Sequence, residues 1–147
     1  MGDEKELHHL NLLFYRCLET LDMACMEGIW LQEEWVRCIH PGWDVLVGWD
    51  AIRESWERIF ESTNWIRVTP TDVSIRVLGQ TALVTCSENI TTSQDGDLGV
   101  AVAQATNVFV RTKEGWRMVV HHASPAPADP AIAEAAPAAP PGPKILH

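Results

Sequence analysis

Three side chains in this sequence suit proton transfer: His40, Glu88 and His122. His40 follows Trp35 and Cys38-Ile39 and precedes Pro41-Gly42-Trp43. It is thus an imidazole able to accept a proton near neutral pH, among aromatic neighbours that favour its uncharged form. Glu88 alternates with Val84, Cys86 and Ile90 on one side of a strand pattern, an acid on an otherwise apolar face. Pairing Glu88 with His122 from the same meander would orient the imidazole or divide proton transfer between two groups. The plainer alternatives are a His40 that ties loop backbone together and a Glu88 and His122 that face solvent.

A second set of residues has the shape to line a ligand pocket. Asn11 and Tyr15 lie one helical step apart, and Trp30, Trp35 and Trp43 stand near predicted element ends. Trp56 lies on an apolar helix face, and Asn107 shares a strand face with Phe109 and small alanines that leave room for a ligand. The same tryptophans could simply seal a small domain. A metal site would have to recruit His40, His121 or His122 with Glu88 or Cys38. No H-E-x-x-H spacing occurs, and adjacent histidines point to opposite faces of a regular strand, so no metal is expected. Neither G-x-x-x-x-G-K-S/T nor G-x-G-x-x-G is present, and no cofactor is expected.

These residues need a scaffold, and the hydrophobic periodicity supplies one. Leu7, Leu10, Phe14, Leu18 and Leu21 recur at three- and four-residue steps and predict an amphipathic helix over Glu4 to Thr20. Asp22 is placed to cap a short second helix running from Met23 to about Glu27 and ending at Gly28. Trp35 to Ile39 reads as a short strand, and Trp43 to Val47 as a loop or small hairpin. A third helix begins at Gly48 with Trp49, Ile52, Trp56, Ile59 and Phe60 on its apolar side. Arg53-Glu57 and Glu54-Arg58 form i,i+4 pairs on its exposed side.

From Asn64 to His122 four β-rich runs are separated by short polar or glycine-containing breaks, an antiparallel meander. Pro70 marks an edge or a bulge in the first of them. In the last, regular alternation would put Trp116, Met118, Val120 and His122 on one face and Arg117, Val119, His121 and Ala123 on the other. The run from Val100 to Val110 carries apolar groups on both faces, which permits a second subunit against the sheet.

Composition limits the partners. With 11 Lys plus Arg against 20 Asp plus Glu, net charge −9, the chain lacks the concentrated positive charge that phosphate backbones require, so nucleic acid is not expected. No long apolar run predicts a membrane span, and Met1 to Glu6 does not resemble a secretory leader. The expected location is cytoplasmic. Cys17, Cys25, Cys38 and Cys86 show no close pairing and read as free thiols packed like small apolar side chains, with a turn between the first two. After Ala123 the composition shifts to repeated Pro and Ala, and the expected organisation is one domain over residues 4–125 and a flexible tail over residues 126–147.

The order of elements, with Phe14-Tyr15, Trp30, Cys38-Ile39-His40-Pro41-Gly42, Gly48 to Trp56 and Gly115 to Pro125, resembles the NTF2-like superfamily and its SnoaL-like members. The resemblance implies an α+β, cone-shaped fold with three N-terminal helices packed on a curved, mostly antiparallel sheet. It also implies a pocket between sheet and helices and a homodimer through the sheet face. Members include isomerases, cyclases, dehydratases and hydrolases as well as noncatalytic domains, so the fold does not select a reaction. Two readings follow. One is a pocket for an apolar or aromatic small molecule with acid–base chemistry at His40, Glu88 and His122; the alternative is a noncatalytic homodimeric interaction or assembly domain. The acids of ketosteroid isomerase and the Asp-Arg-Asp set of limonene-epoxide hydrolase have no residue-by-residue match.

Overall fold

The computed structural model describes residues 2–127. Helix α1 spans Gly2–Thr20 and α2 spans Met23–Ile29, joined at Leu21 and Asp22. Leu21 adopts φ 52°, and Asp22 caps α2 by accepting from the Cys25 amide at 3.1 Å. Strand β1 (Arg37–Ile39) and β2 (Leu46–Val47) precede α3 (Trp49–Glu61). The meander is β3 (Trp65–Leu78), β4 (Thr81–Gln94), β5 (Asp97–Thr112) and β6 (Gly115–Ala126). Expectations for the tail beyond Pro127 lie outside the described residues.

The six strands among the described residues form one sheet in the order β2-β1-β6-β5-β4-β3. Its pairings are antiparallel except β1 with β6, which is parallel. The expected cone shape is therefore corrected: the strand order is linear, β2 and β3 form two separate edges, and the sheet does not curl round to close. The β3 edge has a physical reason to stop there. Pro70 lies in it, the register shifts between Thr71 and Ser74, and the Val68 amide is taken by Glu19 of α1 at 3.0 Å rather than by another strand.

The helices cover one face. Leu7, Phe14, Cys17 and Leu18 of α1, Met26 and Ile29 of α2, and Ile52, Trp56 and Phe60 of α3 meet Val84, Ala105, Phe109, Trp116 and Met118 of the sheet in one core. Trp30 and Trp49 pack together in it with ring centres 6.0 Å apart.

Cys17 and Cys25 are joined by a disulfide that ties the last turn of α1 to α2, which corrects the reading of four free thiols. The turn at Leu21-Asp22 folds α2 back and brings the two Cα atoms to 5.5 Å, inside bonding reach. Cys38 and Cys86 are free and buried.

One irregularity decides the site. Between β5 and β6 the register shifts: Val108 pairs with Val120 but Phe109 with Met118, leaving Val119 as an extra residue. Before this bulge Trp116 and Met118 face the core; after it His121 and Ala123 do, and His122 is exposed.

Candidate active site

Five buried polar residues converge beneath the helices: Asn11 and Tyr15 from α1, Glu88 from β4, Asn107 from β5 and His121 from β6. Asn11 and Tyr15 share a helix face at i,i+4, and Glu88 and Asn107 occupy inward positions in strands whose neighbours Val84, Cys86, Ala105 and Phe109 are also buried. Tyr15 donates its hydroxyl to Glu88 Oε2 at 2.7 Å and lies 3.4 Å from Cys86 Sγ. Asn107 Nδ2 donates to Asn11 Oδ1 at 2.9 Å and to the Tyr15 hydroxyl at 3.2 Å. Its oxygen is thereby left for His121 Nδ1, 2.7 Å away. An uncharged His121 thus carries its hydrogen on Nδ1 and its lone pair on Nε2, which faces Glu88 Oε2 at 3.9 Å.

Charge is unwelcome at this depth. Burial pushes the Glu88 carboxyl up to about 7, although the hydrogen bond from Tyr15 pulls the other way. Burial, and then the neighbouring imidazoles of His40 and His122, hold His121 down to about 3. Near neutrality Glu88 can therefore hold or release a proton while His121 stays an uncharged acceptor. Burial, then the charge of Glu88, raises Tyr15 above its ordinary range, so it remains a donor. Burial raises Cys38 and Cys86 as well, keeping both as thiols.

His40 approaches from the other wall. It directly follows β1, is only 4% exposed, and its Nε2 lies 2.9 Å from Ser55 Oγ. Ser55 spends its own hydrogen on the Ile52 carbonyl at 2.7 Å, so in uncharged His40 the Nε2 hydrogen is donated to Ser55. The ring meets Trp43 and Trp56 edge-on at centroid distances of 4.7 and 4.6 Å and lies 6.5 Å from His121.

Between these walls is a cavity of about 590 Å³, within the usual range for a small-molecule site. His40, Glu88 and His121 line it together with Trp43 and Trp56; Leu18, Ile59, Ile66, Val68 and Ile90 make much of the rest apolar. Exposed Arg58, Ser62 and Val100 border its mouth. Among the described residues no three His, Cys, Asp or Glu side chains gather in a set that could hold a metal ion.

A SnoaL-like domain profile matches residues 7–129. The chain belongs to the SnoaL-like group of NTF2-like proteins. This SnoaL-like chain is similar to a structure from Streptomyces avermitilis, described as a candidate dehydratase of the NTF2-like family. The two superpose with a TM-score of 0.82 at 36% identity, over 86% of this chain and 98% of that one. A structure from Thiobacillus denitrificans, described as a candidate calcium/calmodulin-dependent protein kinase type II association domain, reaches a TM-score of 0.72 at 30% identity. It covers 80% of this chain and 93% of its own. The F-box protein SKIP8 of Arabidopsis thaliana is 27% identical over 115 residues, 78% of this chain but 47% of that protein, so the SnoaL-like chain spans about half its length.

The expected site residues separate into three groups in this SnoaL-like fold. His40, Glu88, Trp43 and Trp56 line the cavity, and Asn11, Tyr15 and Asn107 stand behind Glu88 and His121 as a supporting network. Trp30 and Phe109 are buried in the core away from the cavity, and Trp35 is 50% exposed. The inward histidine is His121, not His122, because the bulge at Val119 reverses the alternation on which the choice of His122 rests. Ser55 and Arg58 were missed as site residues. Ser55 falls three residues after Ile52 and four before Ile59, so the helical period already puts it on the buried face.

Proposed function

We propose that this SnoaL-like protein binds an apolar small molecule and carries out general acid–base chemistry on it of the dehydratase type. The observation that carries this reading is Glu88: a carboxyl 4% exposed, held by Tyr15 and opening on a cavity shared with His121 and His40. A carboxyl pushed up to about 7 by burial can both take and return a proton at neutral pH. The similarity to the Streptomyces avermitilis candidate dehydratase supports the reaction class.

In a dehydration of a β-hydroxy carbonyl compound, ionised Glu88 takes the proton from the carbon next to the carbonyl. The electrons of that C–H bond form the C=C bond as the C–O bond breaks. Glu88, now protonated, returns that proton to the departing hydroxide, which leaves as water beside His40. Tyr15 steadies the Glu88 anion by donating to it, and Asn107 keeps the lone pair of His121 turned toward Glu88. The test is a panel of apolar β-hydroxy ketones, followed by absorbance of the unsaturated product. Turnover by the wild type that is lost in Glu88→Gln and strongly reduced in His40→Ala supports the reading; equal turnover by Glu88→Gln overturns it.

A second reading is a noncatalytic homodimeric assembly domain. Leu83 of β4 and Leu98 and Val100 of β5 lie on the uncovered face of the sheet and are 40%, 72% and 73% exposed. The similarity to the candidate association domain supports it. A dimer that dissociates in Leu98→Lys, with no turnover by the wild type on any panel member, would favour this reading.

A further inference from the structure

Charge is distributed unevenly round the cavity. Among the lining residues Glu88 is the one acid and Arg58 the one guanidinium; the other basic groups are the imidazoles of His40 and His121. Glu88 is buried, whereas the Arg58 side chain is 73% exposed. Arg58 and Ile59 stand on the last turn of α3, and Ser62 and Thr63, which follow the helix, also reach the lining. The Ser62 and Thr63 hydroxyls both donate to the Ile59 carbonyl, so neither hydrogen is turned to a ligand. The cationic donor at this side of the mouth is therefore Arg58. Its ion pair is with Glu54 at 3.5 Å, a long contact between two exposed side chains, which a ligand can displace at little cost. A guanidinium with five N–H donors in a planar fork matches a carboxylate, as it does a phosphate, and of the two the singly charged carboxylate brings less like charge toward Glu88.

Resting on the reading of the cavity as a small-molecule site, we propose that its ligands are hydrophobic carboxylic acids, the apolar body in the cavity and the carboxylate at the mouth on Arg58. Physical chemistry favours this polarity. A second anion beside Glu88 would add like charge at low dielectric, so an acid enters body first and keeps its charge in water. The net charge of −9 slows the approach of anions, but exposed charges beyond roughly 8 Å are largely screened at physiological salt, so the charges that count at the mouth are Arg58 and its displaceable partner Glu54.

The experiment compares 2-naphthylacetate with 2-naphthylacetamide, the same apolar body with and without the charge, by calorimetry at pH 7.5 with the full chain. The expected result is about 10-fold tighter binding of the acid, or roughly 1.4 kcal/mol. Arg58→Gln should remove that preference while leaving amide binding unchanged, and Arg58→Lys should keep part of it. Equal binding of acid and amide to the wild type overturns the carboxylate proposal but leaves the cavity reading standing. So does a preference that survives in Arg58→Gln. If neither compound binds and Nile red is not taken up either, the small-molecule reading itself fails, and the proposal with it.

Discussion

Tyr15 donates its hydroxyl to Glu88 across 2.7 Å, although 73 positions separate them in the chain. The same oxygen accepts from Asn107, whose carbonyl oxygen holds Nδ1 of His121, whose other nitrogen faces Glu88 again. Three hydrogen bonds thus link four side chains from α1, β4, β5 and β6, and a 3.9 Å approach of His121 to Glu88 brings the two ends of that chain together.

Tyr15→Phe breaks this linkage at its donor. Glu88 loses the hydrogen bond that favours its ionised form, so its pKa rises further and the lower limb of a pH–activity profile moves to higher pH. The lost bonds should cost about 1–2 kcal/mol in urea denaturation. An unmoved limb would mean that Tyr15 is only a packing residue.

The pair Glu88 and His121 makes opposite contributions to acid stability. Glu88, raised from 4.5 to about 7, holds its proton more tightly in the folded chain, so its contribution to stability falls as pH rises through that window. His121, lowered from 6.5 to about 3, costs stability as pH falls from 6.5. Between 4.5 and 6.5 the slopes oppose, each at most ~1.4 kcal/mol per pH unit. Glu88→Gln removes one of them. Relative to wild type it should gain stability between pH 4.5 and pH 8, by denaturant unfolding at both; a constant difference would refute the burial argument.

Much of this network was legible in the residues. The step from Asn11 to Tyr15, the acid alternating with Val84 and Cys86, and Asn107 on the alanine face all follow from helix and strand periods that the fold respects. The choice between His121 and His122 did not, because it turns on the extra residue Val119, a property of how β6 pairs with β5. The parallel addition of β1 to β6 is likewise a long-range pairing, and it leaves an open sheet. Arg58 reads as a solvated i,i+4 partner of Glu54, which it is, and only the third dimension brings it to the cavity mouth. The Cys17–Cys25 bond needed the reversal at Leu21, where φ is positive.

That disulfide closes a short loop, with a sequence separation of 8. Cys25→Ser should cost about 2–3 kcal/mol by the loop-entropy argument. The loss should match that of wild type treated with dithiothreitol. Equal stability of oxidised and reduced wild type would contradict the assigned cross-link.

Gly48 caps α3 at φ 92°, and a Cβ there would lie 3.2 Å from the Glu34 carbonyl oxygen. Gly48→Ala combines left-handed strain with that close approach and should destabilise by about 1–3 kcal/mol. Since α3 carries Ser55 and Trp56, which position and flank His40, ligand affinity should fall as well. Calorimetry of the purified variant checks both effects.

The most direct measurement is the titration of the Glu88 carboxyl itself, by carbon NMR of side-chain-labelled protein with Glu88→Gln to assign the resonance. A midpoint near 7 is the expected result, the signature of a proton held in a dry recess beside uncharged His121. A midpoint at the ordinary glutamate value of about 4.5 would show the carboxyl to be fully solvated and would contradict the account.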